Sequence, residues 1–252
     1  MSDAVLLETT GSISTLTINR PDARNALSLE ILEAMHSHVD SLGSHDSHVL
    51  ILTGAGKAFC AGMDLKAVLI ELSGDPTMGE QLLLSLAELT LKIRQLHQVT
   101  IASVNGAAIG GGCGLTCVCD VTVSHADAKL GFPEVDLGIC PAVITPWVVK
   151  KIGAGRARKA LLMGGVMSGS EAHELGLVDH LAADRDQLAD ATLEVAQRLA
   201  SGGPKALSET KRLLNAIDGS EERDIVLKGA ELSAKVLSSP EAQEALAARL
   251  KG

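Results

Sequence analysis

Three short strand-like runs, the first two closed by glycine and read as buried, separated by stretches of helical periodicity, limit what this chain can fold into. They are HVLILTG (48–54), TIASVNG (100–106) and VTVSH (121–125). A short run that is apolar throughout reads as a strand buried on both faces. Between the runs, Ser28 is a good N-cap for a helix over Leu29–Leu42, and helical spacing returns over about Gly79–Gln98. Strands joined by helical crossovers pair in parallel, so the order predicts a mixed α/β core. The start of the chain differs. AVLLETTGSISTLTINR alternates and predicts a hairpin about Thr10–Gly11–Ser12. From about Asp184 the pattern is helical almost throughout, with Pro204 suited to a first turn. The reading is a core over residues 1–190 and a helical region over 191–252.

Composition removes several function classes. With 22 basic and 31 acidic residues the formal charge is −9, so no overall field draws the chain to nucleic acid or an anionic membrane. One Trp, two Phe and no Tyr leave no stacking platform for single-stranded bases. MSDAVLLETTGSIS lacks a basic segment followed by a long apolar one, and no apolar run is long enough to span a bilayer, so a cytoplasmic protein is expected. Five cysteines, an odd number, fit reduced thiols. Cys113, Cys117 and Cys119 crowd together without a histidine at zinc spacing and read as small buried hydrophobes. His36 and His38, two apart on a helix, do not share a face, so no metal site is expected.

The glycine-rich segments carry the chemistry. VNGAAIGGGCGL (104–115) follows one buried strand, and GAGKAFCAGMD (54–64) follows another as a loop that enters a helix. The first has no Lys-Ser/Thr for a phosphate loop and no dinucleotide spacing. What remains is a helix entrance with bare N–H groups and the positive end of the dipole. Two such entrances could hold one carbonyl oxygen. From spacing alone, a tight packing point or hinge fits the glycines equally well.

In order and spacing, GKAFCAGMDLK, VNGAAIGGGCGL, CDVTVSHADAKLGFPEVDLGICP and SGSEAHELGLVD resemble the crotonase (enoyl-CoA hydratase/isomerase) superfamily, and NRPDARNALS resembles its N-terminal segment. The likeness covers about residues 5–215. It implies a spiral of β-β-α turns, then C-terminal helices that assemble trimers or dimers of trimers. It implies an acyl-CoA thioester as ligand, with no metal or redox cofactor beyond the coenzyme A of the substrate. Carried over by position, the N–H groups of Met63 and Gly111 would form an oxyanion hole. Ala61, Asp64, Leu65 and Lys66 would line the pantetheine and acyl entrance, with Arg24 and Ala26 near the coenzyme A.

Many hydratases of that family use two glutamates. The later one is matched by Glu134 in GFPEVDLG, an apolar setting that would raise its pKa. The earlier one falls on Gly114. The resemblance then implies Glu134 as single general acid/base, with a substrate group or second water in the empty place. Syn addition of water to a 2-enoyl-CoA is the favoured reaction, because GGGCGL and EVDLGICPAVITPWVVKKIG resemble hydratases of branched or carboxylated enoyl-CoAs, the methylglutaconyl type. A 3,2-enoyl-CoA isomerase with the same glutamate is the alternative. A non-catalytic acyl-CoA-binding member is the alternative of another class. Dienoyl-CoA isomerases need an acid at position 142, which is alanine. CPAVITPW (140–147) reads equally as acyl-pocket wall or plain core. KKIGAGRARK (150–159) reads as a solvated helix face or as a contact for coenzyme A phosphates.

Overall fold

Alternation in the first segment produces the expected hairpin. In the computed structural model, which describes residues 4–64 and 77–251, β1 (Val5–Thr10) pairs antiparallel with β2 (Ile13–Ile18). Ser28 then caps α1 (Leu29–Leu42), accepting from the Ile31 N–H. Beyond α1 the chain repeats one plan. It lays down β3 (Val49–Gly54), the short β4 (Ala58–Cys60) and, later, α2 (Met78–Gln95). Next come β5 (Val99–Val104), β6 (Ala107–Ile109) and α3 (Gly111–Val118). The third round is β7 (Val121–His125), β8 (Lys129–Gly131) and α4 (Thr145–Met163). Each round gives its long strand to one sheet and its short strand to a second.

The larger sheet runs β1-β2-β3-β5-β7-β10, with β10 at His180–Ala182. All its pairings after the hairpin are parallel. The smaller sheet runs β4-β6-β8-β9, with β9 (Val166–Ser168) antiparallel to β8. Both faces of the larger sheet are covered at its centre, which is why β3 reads as a nearly unbroken apolar run. The main core lies on one face. On the other, following the short α5 (Gly169–Leu175) in sequence, α6 (Leu188–Ala200) buries Leu188 and Ala196 against Val49, Ile51, Ile101 and Val123.

The spiral of β-β-α turns is therefore present, and two details differ from the sequence reading. The segment read as one glycine-rich loop contains β4, and β6 lies just before the glycine run; three-residue strands are too short to show a period. The helix expected to reach Gln98 ends at Gln95, because Leu96 turns to φ −53°, ψ 143°. The helix expected after Asp64 lies outside the described residues.

The C-terminal helices are α7 (Pro204–Ile217), α8 (Arg223–Leu237) and α9 (Pro240–Lys251), and α8 packs along α2. A buried ion cluster ties α7 to the core. Lys211 Nζ lies 2.8 Å from the Asp120 carboxylate and donates to the Gln98 carbonyl at 2.8 Å. Arg94 bridges Asp120 at 3.3 Å and Asp218 at 2.8 Å. Burial pulls the Lys211 pKa down while Asp120 opposes it. Among the described residues no helix is long and apolar enough to cross a membrane.

Asn25 locks the segment before α1 onto the sheets. Its Oδ1 accepts from the Arg20 N–H at 2.9 Å, and its Nδ2 donates to the Ala55 and Ala58 carbonyls at 2.9 and 2.7 Å. Its backbone is left-handed, φ 57°, which asparagine tolerates better than most residues. Asn25→Ala leaves those buried groups unpaired, so urea unfolding should report a loss of about 1–3 kcal/mol. An unchanged midpoint would show that water replaces the side chain without cost.

Candidate active site

Two backbone segments meet beside α3. The first, Ala61–Asp64, runs along Arg24–Leu27: Ala61 N–H donates to Arg24 O at 3.0 Å, Leu27 N–H to Gly62 O at 2.7 Å, and Asp64 N–H to Leu27 O at 3.0 Å. This ladder uses the N–H groups of Ala61 and Asp64 and leaves that of Met63 out. The second is the entrance of α3, where Gly111 is the first helical residue. Neither the Met63 nor the Gly111 N–H donates to an acceptor among the described residues. The segments are close enough that a β-carbon on Gly62 would stand 3.7 Å from Gly111 N. A β-carbon on residue 112 would stand 2.3 Å from the Cys60 carbonyl, so only glycine permits the approach.

Glu134 reaches the same place from the other side. It precedes the single 3₁₀ turn Val135–Leu137, and Leu137 N–H and Ile139 N–H both donate to its carbonyl, at 3.0 Å each. Its carboxylate packs on Gly110, where a β-carbon would lie 2.8 Å from Oε1; Gly110 has φ 55°. Oε2 is buried with no hydrogen-bond partner among the described residues. Burial pushes the carboxyl pKa up to about 7, opposed only by its own backbone N–H. Asp136 acts elsewhere, accepting from the Gly165 N–H at 2.8 Å.

Glu134, Met63 and Gly111 border one cleft of about 720 Å³, its open mouth included. Its walls are apolar, with Leu82, Leu83 and Leu86 from α2, Val143 and Ile144 before α4, and Leu237 from α8. Among the described lining residues Glu134 is the sole carboxylate. The CPAVITPW segment divides: Cys140, Pro141, Val143 and Ile144 border the cleft, while Trp147 is core.

The place beside Gly114 is filled. A β-carbon on residue 114 would stand 2.1 Å from Ile144 Cγ2 and 2.7 Å from its Cβ. The expected water or substrate group has no room there, because the Ile144 side chain occupies it. No signal within the glycine run could announce this, since the two residues meet only through the tertiary fold.

The other sequence-predicted residues are placed as follows. Ala61 borders the cleft. Arg24 is exposed with φ 53°, and Ala26 is buried beside it. Asp64 pairs with Arg20 at 3.3 Å. Leu65 and Lys66 lie outside the described residues. In the basic run, Lys150 donates to the Asp218 carbonyl and Lys151 pairs with Asp179 at 2.5 Å. Cys60 and Cys113 sit behind the site, fully buried, and burial pushes the Cys60 thiol up to about 12 and the Cys113 thiol upward, so both stay protonated.

Sequence reasoning missed Ser233 on α8, which lines the cleft. Its Oγ accepts from the Ala142 and Val143 N–H groups at 3.1 and 3.3 Å and donates to the Cys140 carbonyl at 2.9 Å. A serine on an amphipathic helix some ninety residues away, by the separation of those partners, gives no local sign of that role.

Two stability predictions follow from this geometry. Gly114→Ala should lose about 1–3 kcal/mol through overpacking against Ile144, visible as a lower melting temperature; an unchanged one would mean that Ile144 moves freely. Glu134→Gln should stabilise the fold by an amount that depends on pH. Below about 4.5 the carboxyl is protonated folded and unfolded, and the substitution changes little. Between pH 4.5 and 7 the unfolded carboxyl ionises while the buried one keeps its proton, so the gain grows over that range to on the order of 3 kcal/mol and levels above 7. Melting curves at pH 4.5 and pH 8 test this, and an equal shift at both would refute it.

Comparison with known proteins agrees with the fold. The family model described as enoyl-CoA hydratase/isomerase matches residues 8–249. The chain is 34% identical over 241 residues to the enoyl-CoA hydratase EchA19 of Mycobacterium tuberculosis, covering 95% of this chain and 90% of that one. It is 33% identical over 216 residues to the short-chain-enoyl-CoA hydratase of Clostridium acetobutylicum, covering 84% and 80%. A crystal structure of an enoyl-CoA hydratase from Mycobacterium avium superposes with a TM-score of 0.87 at 28% identity, over 100% of this chain and 97% of that one. The unspent N–H groups beside a buried glutamate thus sit on a β-β-α spiral shared with these proteins, and the chain belongs to the enoyl-CoA hydratase/isomerase (crotonase) family.

Proposed function

We propose that this family member is an enoyl-CoA hydratase that uses Glu134 as its single acid/base. The observation that carries the reading is the Glu134 carboxylate, buried with Oε2 unpartnered, in the same cleft as the free N–H groups of Met63 and Gly111. The thioester oxygen accepts from the two N–H groups. Glu134 takes a proton from water as the water oxygen bonds to C3. The electron pair of the double bond moves onto the thioester oxygen, and the two donors stabilise that enolate. The carboxylic acid then returns the proton to C2 on the same face. A pKa near 7 leaves the group able to act in both directions at neutral pH. Residues Arg24, Ala26, Ala61 and Asp64 lie along the same edge and support a coenzyme A path there; no redox or metal group is required by this chemistry.

A second reading has a specific observation behind it. Ile144, not a carboxylate, stands beside Gly114. A 3,2-enoyl-CoA isomerase needs only one base, which removes a proton at C2 and returns it at C4, and no water. Exposed apolar residues on α7 and α8, among them Leu213, Leu214, Ile217 and Ile225, support assembly of copies through the C-terminal helices, as a trimer or a dimer of trimers.

An absorbance assay separates the two reactions. Loss of the conjugated thioester band of crotonyl-CoA, or of a methylglutaconyl-type substrate, is the expected result; appearance of that band from 3-hexenoyl-CoA alone would replace hydratase with isomerase. Glu134→Gln should lower kcat by about 10²–10⁴-fold with little change in thioester binding. Because the reaction starts from the carboxylate, the wild-type rate should rise with pH through about 7 and then level. Full activity in Glu134→Gln, or a rate that falls over that range, would overturn the mechanism.

A further inference from the structure

We propose that Ile144 determines the acyl selectivity of this cleft, and that residues 114 and 144 form one steric unit in which only one position can carry a side chain. The proposal rests on the reading that the cleft holds an acyl-CoA thioester. A β-carbon on residue 114 would fall 2.1 Å from Ile144 Cγ2, far inside van der Waals contact, so the two side chains exclude each other. Gly114 N–H donates to Gly110 O at 2.8 Å, which places residue 114 one helical turn from the glycine that supports Glu134. Ile144 therefore stands about 5 Å further along α3 than the carboxylate. That is the distance from a reacting carbon to the next part of an acyl chain, roughly three to four carbon–carbon bonds at ~1.5 Å each.

Ile144 is closely packed and its backbone is held in place. It is 1% exposed although it borders the cleft. Its N–H donates to Pro141 O at 3.2 Å, and the Trp147 and Val148 N–H groups donate to its carbonyl, each at 3.1 Å. The two residues before it are clamped by Ser233. Gly229 on α8 packs so closely that a β-carbon there would lie 2.4 Å from Ala142 O. A β-branched side chain on so fixed a backbone has few rotamers to use. The wall it presents is hydrocarbon, so the acyl portion that meets it is hydrocarbon too. Rejection of one methylene too many at such a wall is worth about 10–200-fold.

Calorimetric titration with butyryl-CoA, hexanoyl-CoA and decanoyl-CoA tests this without relying on turnover. Removing side-chain volume should extend the accepted chain. In Ile144→Ala the affinity ratio of decanoyl-CoA to butyryl-CoA should rise at least tenfold, and in Ile144→Val by a smaller factor. In Ile144→Phe it should fall. Ile144→Val is the variant least able to disturb folding, and the order Phe, Ile, Val, Ala should hold across those that fold. The steric unit has its own test: because the Ile144 Cβ itself would stand 2.7 Å from a β-carbon at 114, the melting temperature lost in Gly114→Ala should be recovered in Gly114→Ala/Ile144→Gly relative to Ile144→Gly alone. Unchanged ratios in variants that still bind butyryl-CoA would overturn the proposal and leave the acyl-CoA reading standing. A wild-type protein that binds none of the three thioesters would overturn that reading, and this proposal with it.

Discussion

The Cys60 carbonyl lies where a β-carbon on residue 112 would have to stand, at 2.3 Å, and the Ile109 carbonyl does the same to residue 62, at 2.6 Å. Contact at that range is open only to backbone facing backbone. It brings the end of β4 against the end of β6 and the start of α3, and so sets the free N–H groups of Met63 and Gly111 in one cleft. Any side chain at 62 or 112 would force the segments apart. An oxyanion hole depends on donors held within a few tenths of an ångström, so the whole site depends on this contact.

Maintaining it requires that neither segment relax. Both follow strands of the smaller sheet, and β4 and β6 pair in parallel. The longer strands that precede them, β3 and β5, are neighbours in the larger sheet and buried on both faces. Asparagine side chains close the gap between sheets: Asn25 donates to the Ala55 and Ala58 carbonyls, and Asn105 to the Gly54 and Gly56 carbonyls at 2.7 and 3.0 Å. Spending buried amides on loop carbonyls leaves those loops with few alternative conformations. Regular secondary structure supplies the rigidity, and the irregular segments between its elements supply the chemistry.

How much of this was legible from residues alone follows the range of the interactions. The long strands and the helices announce themselves through local period and capping, as with HVLILTG and the Ser28 cap. The short strands do not, because three residues cannot display alternation. The glycine run marks a bare helix entrance, yet spacing cannot separate an oxyanion hole from a packing point. In the structure the two features fall on different glycines: Gly112 is needed for the close approach, and the Gly111 N–H has no acceptor among the described residues. Glu134 is legible through its apolar setting. Ile144 was legible only as part of an apolar segment, and Ser233 not at all, because their roles arise where distant parts of the chain meet. The helical region drawn as separate at residue 191 contributes Ser233 and Leu237 to the cleft wall, so that boundary in the pattern is no boundary of the site.

An isoleucine in place of a second carboxylate changes the glutamate that remains. Two carboxylates in one cleft would raise each other's pKa through repulsion, and each would depend on the other's charge. Here the upward push on Glu134 comes from desolvation, with no neighbouring charge among its causes. Ile144 belongs to the apolar wall that supplies that desolvation. The substitution of shape for charge therefore does two things at once. It removes a partner that could have positioned water, and it keeps the surviving carboxyl near neutrality, where it can both accept and return a proton. On the proposed reading, a cleft built this way depends on the acyl group being seated accurately over one carboxylate, and the hydrocarbon wall beside Gly114 is the element placed to seat it.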